Sequence, residues 1–259
     1  MIVQLNYTSG TEYHSGKNKN KVFGKGLGEE PFLRKVCPDK PVVTCIEALN
    51  KIGEDEMKKA MTISYEVGNN LYLNFTNKCP CSCTFCIRTH ADGAYGSDPL
   101  WLEHEPSMDE IKADLDKRDI PAYDEIVFCG YGEPTERLDA VVEAAAYLRE
   151  KGCRKLRINT NGLGDLVNGR SIADELCEAL DVVSVSLNAG TKDEYMAVTR
   201  PRFDNAWEAM QQFTADCVKT GKAEIIMSVV DVIPQEQIEA SKEVAAKLGA
   251  VLRIRTFDD

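Results

Sequence analysis

From Met61 to the C-terminus, apolar positions switch repeatedly between the period of two of strands and the three-to-four spacing of helices. Thr62-Ile-Ser-Tyr-Glu-Val67 alternates as a strand, Gly68-Asn69-Asn70 has turn chemistry, and Leu71-Tyr-Leu-Asn-Phe75 reads as a buried strand. Ser107 with Glu110 three residues on is a capping-box pattern and predicts a helix that carries Ile111 and Leu115 to a core. Strands are then expected at 125–129, 155–158, 181–187, 223–230 and 250–255, with helices through 138–148, 171–180, 192–198, 205–220 and 235–248 between and around them. Strands alternating with helices imply right-handed crossovers and a parallel sheet. The class is α/β, and chemistry on a parallel sheet of this kind belongs at the C-terminal ends of the strands.

Residues 1–60 lack this rhythm. The stretch 8–30 is rich in Gly, Lys, Asn and Ser and reads as disordered, while Ile46, Leu49, Ile52 and Met57 suit one short amphipathic helix over 45–60. The expected organisation is therefore an N-terminal extension, 1–60, ahead of a domain at 61–259. The extension holds 10 Lys/Arg against 8 Asp/Glu of a chain total of 31 against 42, so the remainder carries 21 against 34 and accounts for the acidic net charge of −11. That balance argues against a track for nucleic acid or an anionic membrane surface. With no apolar run of spanning length, no secretion pattern and ten cysteines, a cytoplasmic location is expected.

Four of those ten cysteines fall within Cys79-Pro-Cys-Ser-Cys-Thr-Phe-Cys86, and Cys79, Cys83 and Cys86 have the spacing C-x3-C-x2-C. Zinc sites usually join two separated pairs of ligands, and no second pair exists here. A four-iron cubane held by three thiolates leaves one iron open for chemistry. Cys81 is expected to face away. At the ends of later strands, Gly130-Tyr-Gly-Glu-Pro-Thr135 offers close backbone approach and a carboxylate suited to an ammonium group. Thr160-Asn161-Gly162 is either an Asn-Gly turn or a ligand contact. Ser184, Ser186 and Asn188 alternate with Val185 and Leu187 and should line the barrel's interior. The long connection 87–106, with His90, His104, Arg88, Tyr95 and Trp101, is a candidate substrate lid.

Cys79-x3-Cys83-x-Phe85-Cys86 resembles the signature of the radical S-adenosylmethionine (SAM) enzymes. The resemblance implies a partial (β/α)6 barrel, a 4Fe–4S cluster on Cys79, Cys83 and Cys86, and SAM bound at the open iron. It further implies reductive cleavage of SAM to a 5′-deoxyadenosyl radical that abstracts a substrate hydrogen. By the same resemblance Gly132 and Glu133 would position the SAM amino group, and Thr160-Asn161-Gly162 matches the family's turn after the third strand, with Asn161 either a direct ligand contact or part of the turn. Ser186 and Asn188 match the position that contacts the ribose, and Arg200 either pairs with the carboxylate or is a surface arginine. Met227, Val229 and Val230 would offer adenine an apolar wall or simply pack in the core. The longer run 73–88 with 128–135 and 183–188 looks most like the TatD-associated radical SAM proteins. That similarity implies a small-molecule or protein substrate, a reducing donor such as flavodoxin or ferredoxin, and a TatD-like hydrolase as partner. Glycyl-radical-enzyme activases are similar in size, but Ile87-Arg88 replaces their His-Asn-Pro after the third cysteine. A cluster-bearing sensor or electron carrier would need neither the Gly-Glu motif nor the polar interior.

A chain beginning at Met61 is expected to fold, take up a cluster and cleave SAM as the full chain does; insolubility or loss of the cluster would place residues 1–60 in the core.

Overall fold

The computed structural model describes residues 58–89 and 91–256. The readings at 8–30 and 45–57, Cys37, Cys45 and His90 fall outside them. Seven strands form one sheet in sequential order: β1 (Ser64–Val67), β2 (Asn70–Leu73), β3 (Glu125–Phe128), β4 (Leu156–Thr160), β5 (Val182–Ser186), β6 (Glu224–Val230) and β7 (Val251–Arg255). β1 pairs antiparallel with β2 through the Gly68-Asn69 turn, and β2 to β7 are parallel. These are the strands that alternation predicts, curled as a partial barrel with six parallel members and an antiparallel edge. A further bridge joins Lys59 to Trp101, and Ala60 N donates to Trp101 O at 2.9 Å, so the described pairing starts ahead of Met61.

Helices fill the crossovers: α1 (Met108–Leu115), α2 (Leu138–Glu150), α3 (Gly164–Asn168), α4 (Ala173–Ala179), α5 (Lys192–Thr199), α6 (Ala206–Thr220) and α7 (Gln235–Leu248). α1 starts as its sequence dictates, with Ser107 and Glu110 each bonding the other's backbone N–H. α3 has no counterpart in the predicted pattern, being a five-residue turn ended by Gly169 in the left-handed region. Gly221 and Gly249 end α6 and α7 in the same conformation, which glycine adopts without a Cβ penalty. No described helix is long and apolar enough to cross a membrane.

The pleat sorts side chains onto two faces. Leu71, Phe128, Ile158, Val183 and Met227 point outward and meet Leu115, Leu148, Leu176 and Phe213 of the helices. Each such buried side chain contributes about 1.5–3 kcal/mol. Met227 and Val229 belong to this helix-facing core, so they do not form an interior wall. The interior itself is divided. On the β1–β3 side Tyr65, Val127 and Cys129 pack with Ile87, Ala94 and Leu100 of the connection 87–106.

That connection, the candidate lid, is tied down at many points and lies as a strap across the β1–β3 side. Asn74, wholly buried at the end of β2, donates to Thr62 O at 3.1 Å and Leu100 O at 2.8 Å and accepts from Tyr131 N at 3.1 Å. Asn77 pairs in both directions with Leu102, at 2.8 and 3.0 Å. Tyr131 hydroxyl donates to Ala91 O at 2.5 Å, and its ring meets Trp101 edge-on at 5.5 Å. His104 is exposed and pairs with Glu110 at 2.9 Å, reinforcing the start of α1. Asn74→Ala should therefore cost about 3 kcal/mol, because it orphans several buried backbone groups. Denaturant unfolding checks the loss, and hydrogen exchange should quicken at 91–102 ahead of the sheet; uniform exchange would show that Asn74 does not hold the strap.

Candidate functional site

The cysteine loop leaves the end of β2 and is held from three sides. Lys78 O accepts from Glu133 N at 2.7 Å, which lays the loop after β3 directly on the residue before Cys79. Gly132 makes this approach possible, since a Cβ there would stand 2.2 Å from Thr76 O and 2.7 Å from Lys78 O. From the β5 side, Ser82 N donates to Thr199 O at 3.1 Å, Thr84 N to Val198 O at 2.9 Å, and Cys81 bridges Pro201. Arg88 closes the loop on itself, its guanidinium reaching Asn77 O and Cys81 O at 3.3 Å each while lying 5.7 Å over Trp101. In the sequence Arg88 is one residue of the long connection, and its place two residues after Cys86 is the signal for this role.

Within the loop, Cys81 does not face away. It is 4% exposed, and Asn161 Nδ2 lies 3.8 Å from its sulfur and 3.9 Å from that of Cys79, so the two thiols turn to the same side. The reason is parity: residues two apart on an extended segment share a face, so 79, 81 and 83 point together. Hydrogen bonding to Cys81 draws Cys79 down to about 7 and Cys83 down to about 6, while Cys81 itself is pushed up by those same bonds. The flanking pair is thus favoured as thiolates, the form that binds metal. Cys86 is half-buried, its N–H donating to Cys83 O at 3.2 Å. Among the described residues no three His, Cys, Asp or Glu side chains converge as a single ion requires. A cubane takes one thiolate at each iron corner and asks for no such convergence.

Glu133 connects the strand ends. Its carboxylate is 1% exposed, yet Oε1 accepts from Thr160 Oγ1 at 2.7 Å, Thr135 Oγ1 at 2.8 Å and Thr135 N at 3.2 Å, and Oε2 accepts from Asn161 N at 2.7 Å. Oε2 keeps acceptor capacity for one further donor. Thr135 and Thr160 were not singled out from sequence as partners of Glu133, although both belong to the motifs quoted. Asn161, oriented by this grip, directs Nδ2 at Cys79 Sγ and Cys81 Sγ, at 3.9 and 3.8 Å.

Cys79, Gly132, Glu133 and Asn161 are therefore brought together. Arg200 reaches the loop through its carbonyl, which accepts from Ser82 N at 3.2 Å; its residue is exposed and held at φ 45°, the left-handed region. Ser186 lies in the interior, and Asn188 follows β5 at φ 64°, with N–H on Ser228 O at 3.2 Å. Two buried groups here lack partners among the described residues: Asn188 Oδ1, and the hydroxyl of Tyr195, whose field is shared with Cys81 and Cys83. An acceptor and a donor left open beside a thiol loop suit a polar ligand and a sulfur-rich cluster.

Glu133→Ala should destabilise the fold by roughly 3 kcal/mol or more, since four donors lose their acceptor, and Glu133→Gln should fall between. Thermal unfolding of the purified variants measures this; equal stability of Ala and wild type would remove Glu133 as the link between β3 and β4.

Comparison with known proteins agrees with this geometry. A family model for the radical SAM superfamily matches residues 73–246, more than half of the chain. Among solved structures, a radical SAM methyltransferase from Sphaerobacter thermophilus is similar, with a TM-score of 0.53 and 16% identity over 74% of this chain and 57% of that one. At that identity the likeness is one of fold, and the chain spans less than two thirds of the methyltransferase's length. A search of curated proteins gives no match. The chain belongs to the radical SAM superfamily.

Proposed function

We propose that this protein is a radical SAM enzyme whose 4Fe–4S cluster is held by Cys79, Cys83 and Cys86. When bound, the cluster and SAM supply a 5′-deoxyadenosyl radical for hydrogen abstraction. The observation that carries the reading is Asn161, whose backbone is gripped by Glu133 while its amide faces the sulfurs of Cys79 and Cys81. Three strand-end motifs thereby share one point.

The chain's own residues have separable tasks. Gly132 lets the backbone after β3 approach the cysteine loop, and the free acceptor position of Glu133 Oε2 receives an ammonium hydrogen of SAM. Asn188 Oδ1 and Ser186 accept or donate to ribose hydroxyls, and Arg200 stands at the loop for the carboxylate. Tyr195 donates its hydroxyl hydrogen towards sulfur, an interaction of the kind that tunes cluster potential. The strap over β1–β3 keeps water from that side of the interior.

The finer assignment is to the TatD-associated group, acting in the cytoplasm with a flavodoxin or ferredoxin as reductant and a TatD-like hydrolase as partner. The similarity of residues 73–88, 128–135 and 183–188 to that group supports it. The boundary at residue 60 is kept as part of the same proposal.

Cys81 raises one competing ligand set, because its thiol lies inward with those of Cys79 and Cys83. Alanine at Cys79, Cys83 or Cys86 should abolish the absorbance of the reconstituted cluster, with Cys81→Ala retaining it. Reduced wild-type protein should convert SAM to 5′-deoxyadenosine. Loss of the cluster in Cys81→Ala with retention in Cys86→Ala would transfer the third corner to Cys81. An intact cluster that never cleaves SAM would favour the electron carrier.

A further inference from the structure

The β4–β7 half of the interior is the reverse of the β1–β3 half. It is a small open cleft, and its lining holds Arg157, Asn159, Ser184, Ser228, Arg253 and Arg255, with Ser186 towards the strand ends. Among the described residues, three guanidinium groups and no carboxylate line it, in a chain whose net charge is −11.

Register explains the gathering. Asn159 is level with Ser184, and two residues further along β5 Ser186 is level with Ser228 and Ser228 with Arg253, so two adjacent polar rows together cross four strands. Arg157 and Arg255 lie two residues from Asn159 and Arg253 on the same faces. Arg157 stands four residues before Asn161, about 13 Å down the strand, which puts the cleft beneath the cysteine loop.

Burial makes two of these cations, Arg157 and Arg255, costly where they stand, while Arg253 is exposed. Burial, with Arg253 and Arg157 adding to it, pulls the Arg255 guanidinium below its ordinary value. Arg157 is 12% exposed and pairs with Glu125 at 2.9 Å, yet its buried Nε has no partner. Arg253 makes no ion pair among the described residues. A bound anion gives a reason to gather like charges at one cleft, through charge-assisted forked hydrogen bonds.

We propose that this half of the interior binds the substrate's anionic group, a carboxylate or a phosphate, between Arg157, Arg253 and Arg255, with Ser184 and Ser228 as hydroxyl donors. The proposal rests on the radical SAM reading and adds the class of substrate to it. Asn159 Oδ1, buried without a partner, accepts a hydroxyl or ammonium hydrogen of the same molecule. Ser186 borders both this cleft and the ribose position, so the substrate carbon next to the anion faces the site of radical formation.

Calorimetric titration of the full-length protein with inorganic phosphate, and separately with succinate, tests this. One of the two should bind, phosphate indicating a phosphorylated substrate and succinate a carboxylated one. Arg253→Gln should weaken that binding about tenfold, the loss expected for a charge-assisted contact. Arg154→Gln, which removes an exposed charge outside the barrel, should leave it unchanged. Ser228→Ala removes no charge and should weaken binding by a smaller factor, which serves if Arg253→Gln does not fold. Absence of binding by either anion, or equal loss in Arg253→Gln and Arg154→Gln, overturns the proposal. Displacement of the anion by SAM also overturns it, since the cleft would then hold the SAM carboxylate. Production of 5′-deoxyadenosine by wild type is measured in parallel. Anion binding without SAM cleavage supports the site and removes the chemistry, and cleavage without anion binding removes the site alone.

Discussion

The buried carboxylate of Glu133 is the constraint on which the site depends. Four hydrogen bonds satisfy it, and each belongs to a different demand of the fold: two hold the turn after β3, one holds the end of β4, and one sets the backbone of Asn161. A buried carboxylate without those donors would be strongly unfavourable, so the loops must assume this arrangement for the barrel to close around it. The N–H of the same residue bonds Lys78 O, and the position of the cysteine loop follows. A residue expected to serve only a ligand therefore also builds the platform on which a ligand would sit.

The interior is asymmetric for a related reason. The β1–β3 half is filled by aromatic and aliphatic groups because Asn74, Asn77 and Tyr131 fasten the strap there through backbone hydrogen bonds. The β4–β7 half has no such cover among the lining residues, and its side chains are hydroxyls, an amide and guanidinium groups. One wall excludes water and the other offers directed polar contacts, the usual division in a small-molecule site.

Much of this was legible in the sequence. Alternation located every strand, and the Ser107–Glu110 pair located the start of α1, because both signals are local. Ser184 and Ser186 were placed inward by the same alternation, and they are in the cleft. What failed was non-local or miscounted. Cys81 was read as facing away although positions 79, 81 and 83 have equal parity. The anchors of the connection 87–106, Asn74, Asn77 and Tyr131, escape a sequence reading because they lie on other segments and carry no motif of their own. Of the two readings open for Met227, core packing holds, because its parity puts it beside Val229 under the helices. The arginine cluster draws on β4 and β7, some hundred residues apart, and only the register of the sheet brings them level.

The central claim is that these strand ends present one open iron to SAM. It is tested most directly by electron–nuclear double resonance on the reduced, reconstituted protein with SAM labelled by ¹⁵N at its amino group. The account predicts a nitrogen coupling that shows the amino group on the cluster, appearing only when SAM is added. A cluster whose spectrum is unchanged by SAM, with Cys81 completing four thiolates around it, would contradict the account.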